Sequence, residues 1–158
     1  MPLRLLPVAL VLLLAALGLL LLLGQPRPWT LDLGKSGDSR FFYGFYNAEQ
    51  GVNEDFRWTG RSSGLMLHGA PAGAFQLELR LNGERKASLD DPIIRLVQRG
   101  QEVARFPVQT GWRVYRVLLP PGAALGPDGN PAPLEIISAT SRPGLDDGRD
   151  LGAPIDWL

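Results

Sequence analysis

The densest aromatic run in the chain is Phe41-Phe42-Tyr43-Gly44-Phe45-Tyr46, with Trp58, Trp112 and Tyr115 further along. Such rings offer a flat surface on which a sugar stacks its C–H face. Equally, they belong to a core, because a single ring buries roughly 150–250 Å². Tyr43 and Tyr46 are the pair expected to reach a ligand, since a phenol tolerates a wet edge. Glu49, Arg57 and Arg149 are charges set among apolar or turn-rich residues. A carboxylate and a guanidinium orient a polyhydroxylated ligand through bidentate hydrogen bonds, or they pair with one another and pin long loops to the domain. The candidate ligand-binding residues are therefore Tyr43, Tyr46, Glu49, Arg57 and Arg149.

The remaining reactive side chains point to turns more than to chemistry. Asp146, Asp147 and Asp150 share one segment, and Asp128 and Asn130 another. Calcium would need roughly six to eight oxygens there, whereas turn formation already accounts for Asp-Gly and Asp-Asp-Gly. No metal and no cofactor are expected. His68 is the one histidine of the chain, and no Ser, Cys or second His motif makes it part of a triad. It reads as a surface residue at a strand end. No motif marks a glycosidase carboxylate pair, and no Gly-rich loop lies between a strand and a helix to cradle phosphates. The chain is expected not to be an enzyme.

These side chains must be carried by strands. Beyond Pro28 the apolar residues hold a period of two and nowhere sustain a period of 3.6. The clearest run is Ala74–Asn82, with Phe75, Leu77, Leu79 and Leu81 on one face and Gln76, Glu78, Arg80 and Asn82 on the other. It predicts a strand lying on a core with its second face wet. Nine further runs read as strands: Trp29–Leu33, Arg40–Tyr46, Phe56–Thr59, Gly64–His68, Ile93–Gln98, Glu102–Val108, Trp112–Leu119, Leu134–Ala139 and Ile155–Leu158. Arg99-Gly100 predicts an antiparallel hairpin, because the glycine supplies positive φ at a tight turn. Tyr43–Asn53 and Ser141–Asp150 read as long polar connections, and loops held by a rigid sandwich are where binding groups gather.

In front of this domain, Leu5–Leu23 is nineteen residues without a charge. As a helix it spans about 30 Å, the thickness of the hydrocarbon core of a bilayer. Gln25-Pro26-Arg27-Pro28 ends it abruptly. The stretch exceeds the roughly 7–15 apolar residues of a signal peptide, and Leu22-Leu23-Gly24 is not a small-x-small cleavage site. Residues 1–27 are expected to be an uncleaved transmembrane signal-anchor, and 28–158 one β-sandwich domain. Arg4 stands on one side and Arg27, Lys35 and Arg40 on the other, so charge alone does not orient the anchor. A signal-anchor followed by one soluble domain serves to present that domain beyond the membrane. A single-pass protein of the cell membrane with an extracytoplasmic domain is the expected arrangement. The 16 basic and 16 acidic residues balance, which leaves no electrostatic footprint for nucleic acid. Cysteine is absent, which removes disulfides and thiolate chemistry.

The order of motifs resembles a family of jelly-roll β-sandwiches, related to carbohydrate-binding modules and galactose-binding-like domains, that accompany bacterial membrane glycosyltransferases. The residues that carry the resemblance are Leu31-Asp32-Leu33-Gly34, Gly44-Phe45-Tyr46 with Glu49, Phe56-Arg57-Trp58-Thr59-Gly60 and Gly111-Trp112-Arg113-Val114-Tyr115. They continue with Leu119-Pro120, Ser138, Pro143, Asp147-Gly148-Arg149-Asp150-Leu151-Gly152 and Ile155-Asp156-Trp157. Arg99-Gly100 departs from the Asn-Gly that such domains carry at the hairpin. The resemblance implies an all-β, jelly-roll-like antiparallel β-sandwich and carbohydrate recognition. A glycan or lipid-linked sugar, or a membrane glycosyltransferase, is the expected partner. The alternatives are a structural or assembly module that docks a protein, and a small hydrolase of cell-surface polysaccharide.

Overall fold

A computed structural model describes residues 6–23, 30–84, 90–143 and 147–158. An 18-residue helix, α1 (Leu6–Leu23), comes first. From Leu10 to Leu20 its side chains are described and nearly all are exposed. Among the described residues no helix is long and apolar enough to cross a membrane. Among the described residues eight strands follow: β1 (Phe42–Gln50), β2 (Asp55–Leu65), β3 (Phe75–Asn82), β4 (Ile93–Gln98), β5 (Gln101–Pro107), β6 (Trp112–Leu119), β7 (Leu134–Ser138) and β8 (Pro154–Ile155). The expected all-β antiparallel architecture is what the chain forms.

The ten apolar runs become these eight strands for identifiable reasons. Phe56–Thr59 and Gly64–His68 are two parts of one strand, β2, because β1 pairs along its whole length. Gly60 is tolerated mid-strand because β2 bulges there, its residues 60–63 facing the single residue Gly44 of β1. Gly44 holds φ +73, and a Cβ there would fall 2.4 Å from the Ser62 carbonyl oxygen; only glycine fits opposite this bulge. Arg40–Tyr46 begins as a 3₁₀ turn over Asp38–Phe41 and becomes strand only at Phe42. The segment Tyr43–Asn53 is therefore not the loop expected from its polarity: it is strand to Gln50, and the turn is closed by Gly51 N–H donating to the Glu54 carbonyl. The first run contributes an isolated bridge, Asp32 to Trp157, and the last contracts to β8 plus that bridge; Trp29 lies outside the described residues.

Hydrogen bonds join all eight strands into one sheet, in the order β5-β4-β7-β2-β8-β3-β6, with β1 on β2. Arg57, Gly64 and Leu65 of β2 have β1 partners on one edge and β8 or β7 partners on the other. The groups β7-β4-β5 and β8-β3-β6 thus grow from the same edge of β2 at its two ends. Their outer strands approach again, where Phe106 of β5 stacks on Tyr115 of β6 at 5.2 Å. The sheet curls almost into a barrel. The face it encloses carries Leu65, Leu77, Leu79, Leu81, Ile94, Leu96, Leu119, Leu134, Ile136 and Ile155, all buried. The alternation of β3 is as read: Leu77, Leu79 and Leu81 are inside and Gln76 is exposed. The hairpin at Arg99-Gly100 also forms, with φ +49 and +76 and Gln98 opposite Gln101. Those two positive angles are the type I′ geometry that suits the strand twist.

Candidate functional site

Four of the five predicted residues, Tyr46, Glu49, Arg57 and Arg149, meet. Arg149 Nη1 pairs with Glu49 Oε1 at 2.6 Å, and its Nη2 pairs with Asp147 Oδ2 at 2.7 Å. Its guanidinium lies over the Tyr46 ring at 5.5 Å, and the Tyr46 hydroxyl donates to the Asp150 carbonyl at 3.2 Å. These contacts tie β1 to the segment before β8, so Tyr46, Glu49 and Arg149 do come together. Arg149 holds the Asp147 carboxyl down to about 2 by hydrogen bonding; in turn Asp147 and then Glu49 raise the guanidinium.

Arg57 joins from the other side of the strand. Its Nη1 donates to the Tyr46 carbonyl at 3.0 Å, while Nε and Nη2 grip both oxygens of Asp38 at 2.8 and 3.0 Å. Asp38 is only 4% exposed and also accepts from Gly34 N–H at 2.7 Å. A buried, bidentate pair with its remaining acceptor satisfied is structural. Arg57 is thus held in a structural pair, and Asp38 is the partner that the sequence reading missed. Tyr43 stands apart at the opposite end of β1, beside Gly64, where an added Cβ would strike its ring at 2.3 Å. It is half-exposed, and desolvation together with Glu135 pushes its phenol up.

The place where aromatic rings do converge is a cleft of about 610 Å³ between the β1–β2 turn, the end of β3, the start of β6 and the segment leading into β8. Phe56 and Trp58 alternate along β2, so both side chains leave the same face. Phe56 lies 6.0 Å from Trp58 and 5.5 Å from Trp112, ring centre to ring centre. Trp112 reaches the cleft because β6 pairs with β3 in a register that sets it opposite Asn82. Val52, 95% exposed, stands at the mouth. Polar groups come from Glu54, Asn82, Glu84 and Ser141. The Asn82 oxygen already accepts from the N–H groups of Glu84 and Gly111, both at 2.9 Å.

The rings of this cleft are held from behind. Trp58 Nε1 donates to Glu49 Oε2 at 3.2 Å, and Glu49 is the residue that Arg149 grips. Glu49 and Arg149 are thus positioning residues for Trp58. On the other side, Arg80 lies over Trp112 at 5.1 Å, reaches Glu54 at 3.3 Å and forms a short pair with Asp156. Burial pushes the Asp156 carboxyl up, and Arg80 opposes that. The outer face of β3 is consequently not the plain solvated face read from its alternation. Gln76 is exposed as expected, but Arg80 is drawn into the support of the cleft.

Phe56, Glu54, Asn82, Glu84 and Val52 were not among the sequence candidates. One signal for them was present: Phe56-Arg57-Trp58 at strand spacing sets two rings on one face. Of the carboxylates weighed for calcium, Asp147 is bound to Arg149, Asp150 to Arg142 at 3.0 Å, and Asp128 to Asn130 at 2.7 Å. Asp146 lies outside the described residues. His68 is exposed and meets the edge of Phe41 at 5.8 Å. Compared with protein-family models, with curated proteins and with solved structures, the chain matches none.

Proposed function

We propose that the chain is a membrane-anchored, non-catalytic domain whose aromatic cleft binds a glycan or the sugar of a lipid-linked saccharide, as an accessory to a membrane glycosyltransferase. The observation that carries this reading is the cleft itself: Phe56, Trp58 and Trp112 side by side, with carboxylates and an amide at their rim. Apolar faces for the C–H side of a sugar and polar groups for its hydroxyls are what such a ligand requires. Glu54 is held by Arg80, which fixes its carboxylate at the rim of the cleft. The curled sheet is read as the jelly-roll-like sandwich of the resembling family. The leucines of α1 are uncovered, Leu12 at 65% and Leu20 at 68%, and a bilayer is the surroundings that would cover them. The extracytoplasmic placement of the domain belongs to the same proposal.

The test is a glycan titration of the full chain in neutral detergent, followed by tryptophan fluorescence, with Trp112→Ala as the variant. A ring that stacks a nucleic-acid base is worth about 1–3 kcal/mol, and by the same scale the variant should bind about five- to 150-fold more weakly. A wild-type chain that binds no glycan on a broad array would remove the reading. The protein-docking alternative rests on the outer face of β6, where Val114 and Leu118 are 38% and 74% exposed.

A further inference from the structure

The outer face of β5-β4-β7 carries a second recess, of about 510 Å³, that none of the foregoing explains. Strand register builds it. Arg105 of β5 lies directly opposite Arg95 of β4, and Arg95 lies directly opposite Ile137 of β7. Arg61, on β2 beside the residue that pairs with Ile137, completes a group of three guanidiniums around the recess. Ile93 and Ile137 form its apolar floor, and Thr140 adds a hydroxyl at the rim.

Like charges directly across two strands repel and are ordinarily avoided. Here only Arg95 has a carboxylate at hand, Glu102, which reaches it from the side. Among the described residues Arg61 and Arg105 have no acidic partner, and no carboxylate lines the recess. In a chain with no net charge, three guanidiniums are gathered around one recess and two of them have no carboxylate partner among the described residues. Guanidinium is the side chain that matches tetrahedral oxyanions bidentately. We propose that this recess binds a phosphate group of an organic phosphate ester, Arg61, Arg95 and Arg105 taking the oxygens and Ile93 and Ile137 the adjoining carbon chain. It is separate from the aromatic cleft and does not depend on the glycan reading.

The phosphate could be presented by a soluble ester or by a lipid headgroup, and the experiment separates the two. The full chain in neutral detergent is titrated calorimetrically with inorganic pyrophosphate at constant ionic strength. The double variant R61Q/R105Q is compared with R113Q, which removes an exposed arginine from β6 instead; all three sites are at the surface, so folding should be retained. The expected result is binding by the parent and by R113Q, weakened about tenfold or more in R61Q/R105Q, as the loss of charge-assisted hydrogen bonds requires. Phosphatidic acid added to the micelles then competes with pyrophosphate if a lipid headgroup is the source, and leaves binding unchanged if a soluble ester is; either supports the site. No binding by the parent, or equal weakening by R113Q and R61Q/R105Q, would overturn it.

Discussion

Two ion pairs that look alike in sequence do different work. Arg57 and Asp38 are 14% and 4% exposed at the side chain, so removing either strands the other away from water. Asp38→Ala and Arg57→Ala should each destabilise the domain by about 3–5 kcal/mol. In denaturant melts the double variant should cost less than the sum of the two, since the second change relieves the first. Arg149 and Asp147 are wetter, and their pairing contributes little to stability. It is visible instead in titration. Asp147 has its carboxyl lowered from 3.8 to about 2, so its contribution is present above the unfolded value and is lost as pH falls through about 2. In Arg149→Met the Asp147 carboxyl should return towards 3.8 by NMR titration.

At the scale of elements, the two-residue strand β8 has consequences out of proportion to its length, because it alone joins β2 to β3 in the sheet order. Thr59 secures it. The Thr59 hydroxyl donates to the Ala153 carbonyl at 3.0 Å and accepts from the Ala153 N–H at 2.9 Å, fully buried. Gly152 packs so closely on that hydroxyl that a Cβ would lie 2.2 Å from it. Thr59→Val keeps the shape and removes the bonds, which should cost about 1–3 kcal/mol. Amide exchange should then quicken at Ala153 and Ile155 while β4 and β5 remain protected. The β4–β5 hairpin holds Arg99 at a positive φ that a long side chain disfavours, and Arg99 Nη2 donates to the Leu125 carbonyl at 2.7 Å in compensation.

For the whole molecule, the core cluster of the described residues begins at Leu31 and includes none of those described in α1. Removing residues 1–27 should therefore leave a domain with the far-ultraviolet circular dichroism of a β protein and an essentially unchanged melting temperature. A spectrum dominated by helix, or a domain that melts without cooperativity, would show that α1 is part of the fold. The full chain, with its leucines uncovered, should require detergent or lipid to remain dispersed.

Local patterning by itself determined the strand-rich class, the inward face of β3, the Arg99-Gly100 hairpin and the need of Glu49 and Arg149 for an opposite charge. Each of these follows from period-two alternation, from turn chemistry, or from the need of a half-buried charge for an opposite one. Tertiary structure alone decided what those charges do. Arg57 chose Asp38 because a 3₁₀ turn, invisible to alternation, carries that carboxylate under β2. The cleft needs Phe56 of β2 and Trp112 of β6 within 5.5 Å, although β8 and β3 lie between those strands in the sheet. Their meeting depends on the register of three strand pairs and on the curl of the sheet. Such long-range register is set by how the buried leucines interlock across the whole core, and no window of sequence contains that information.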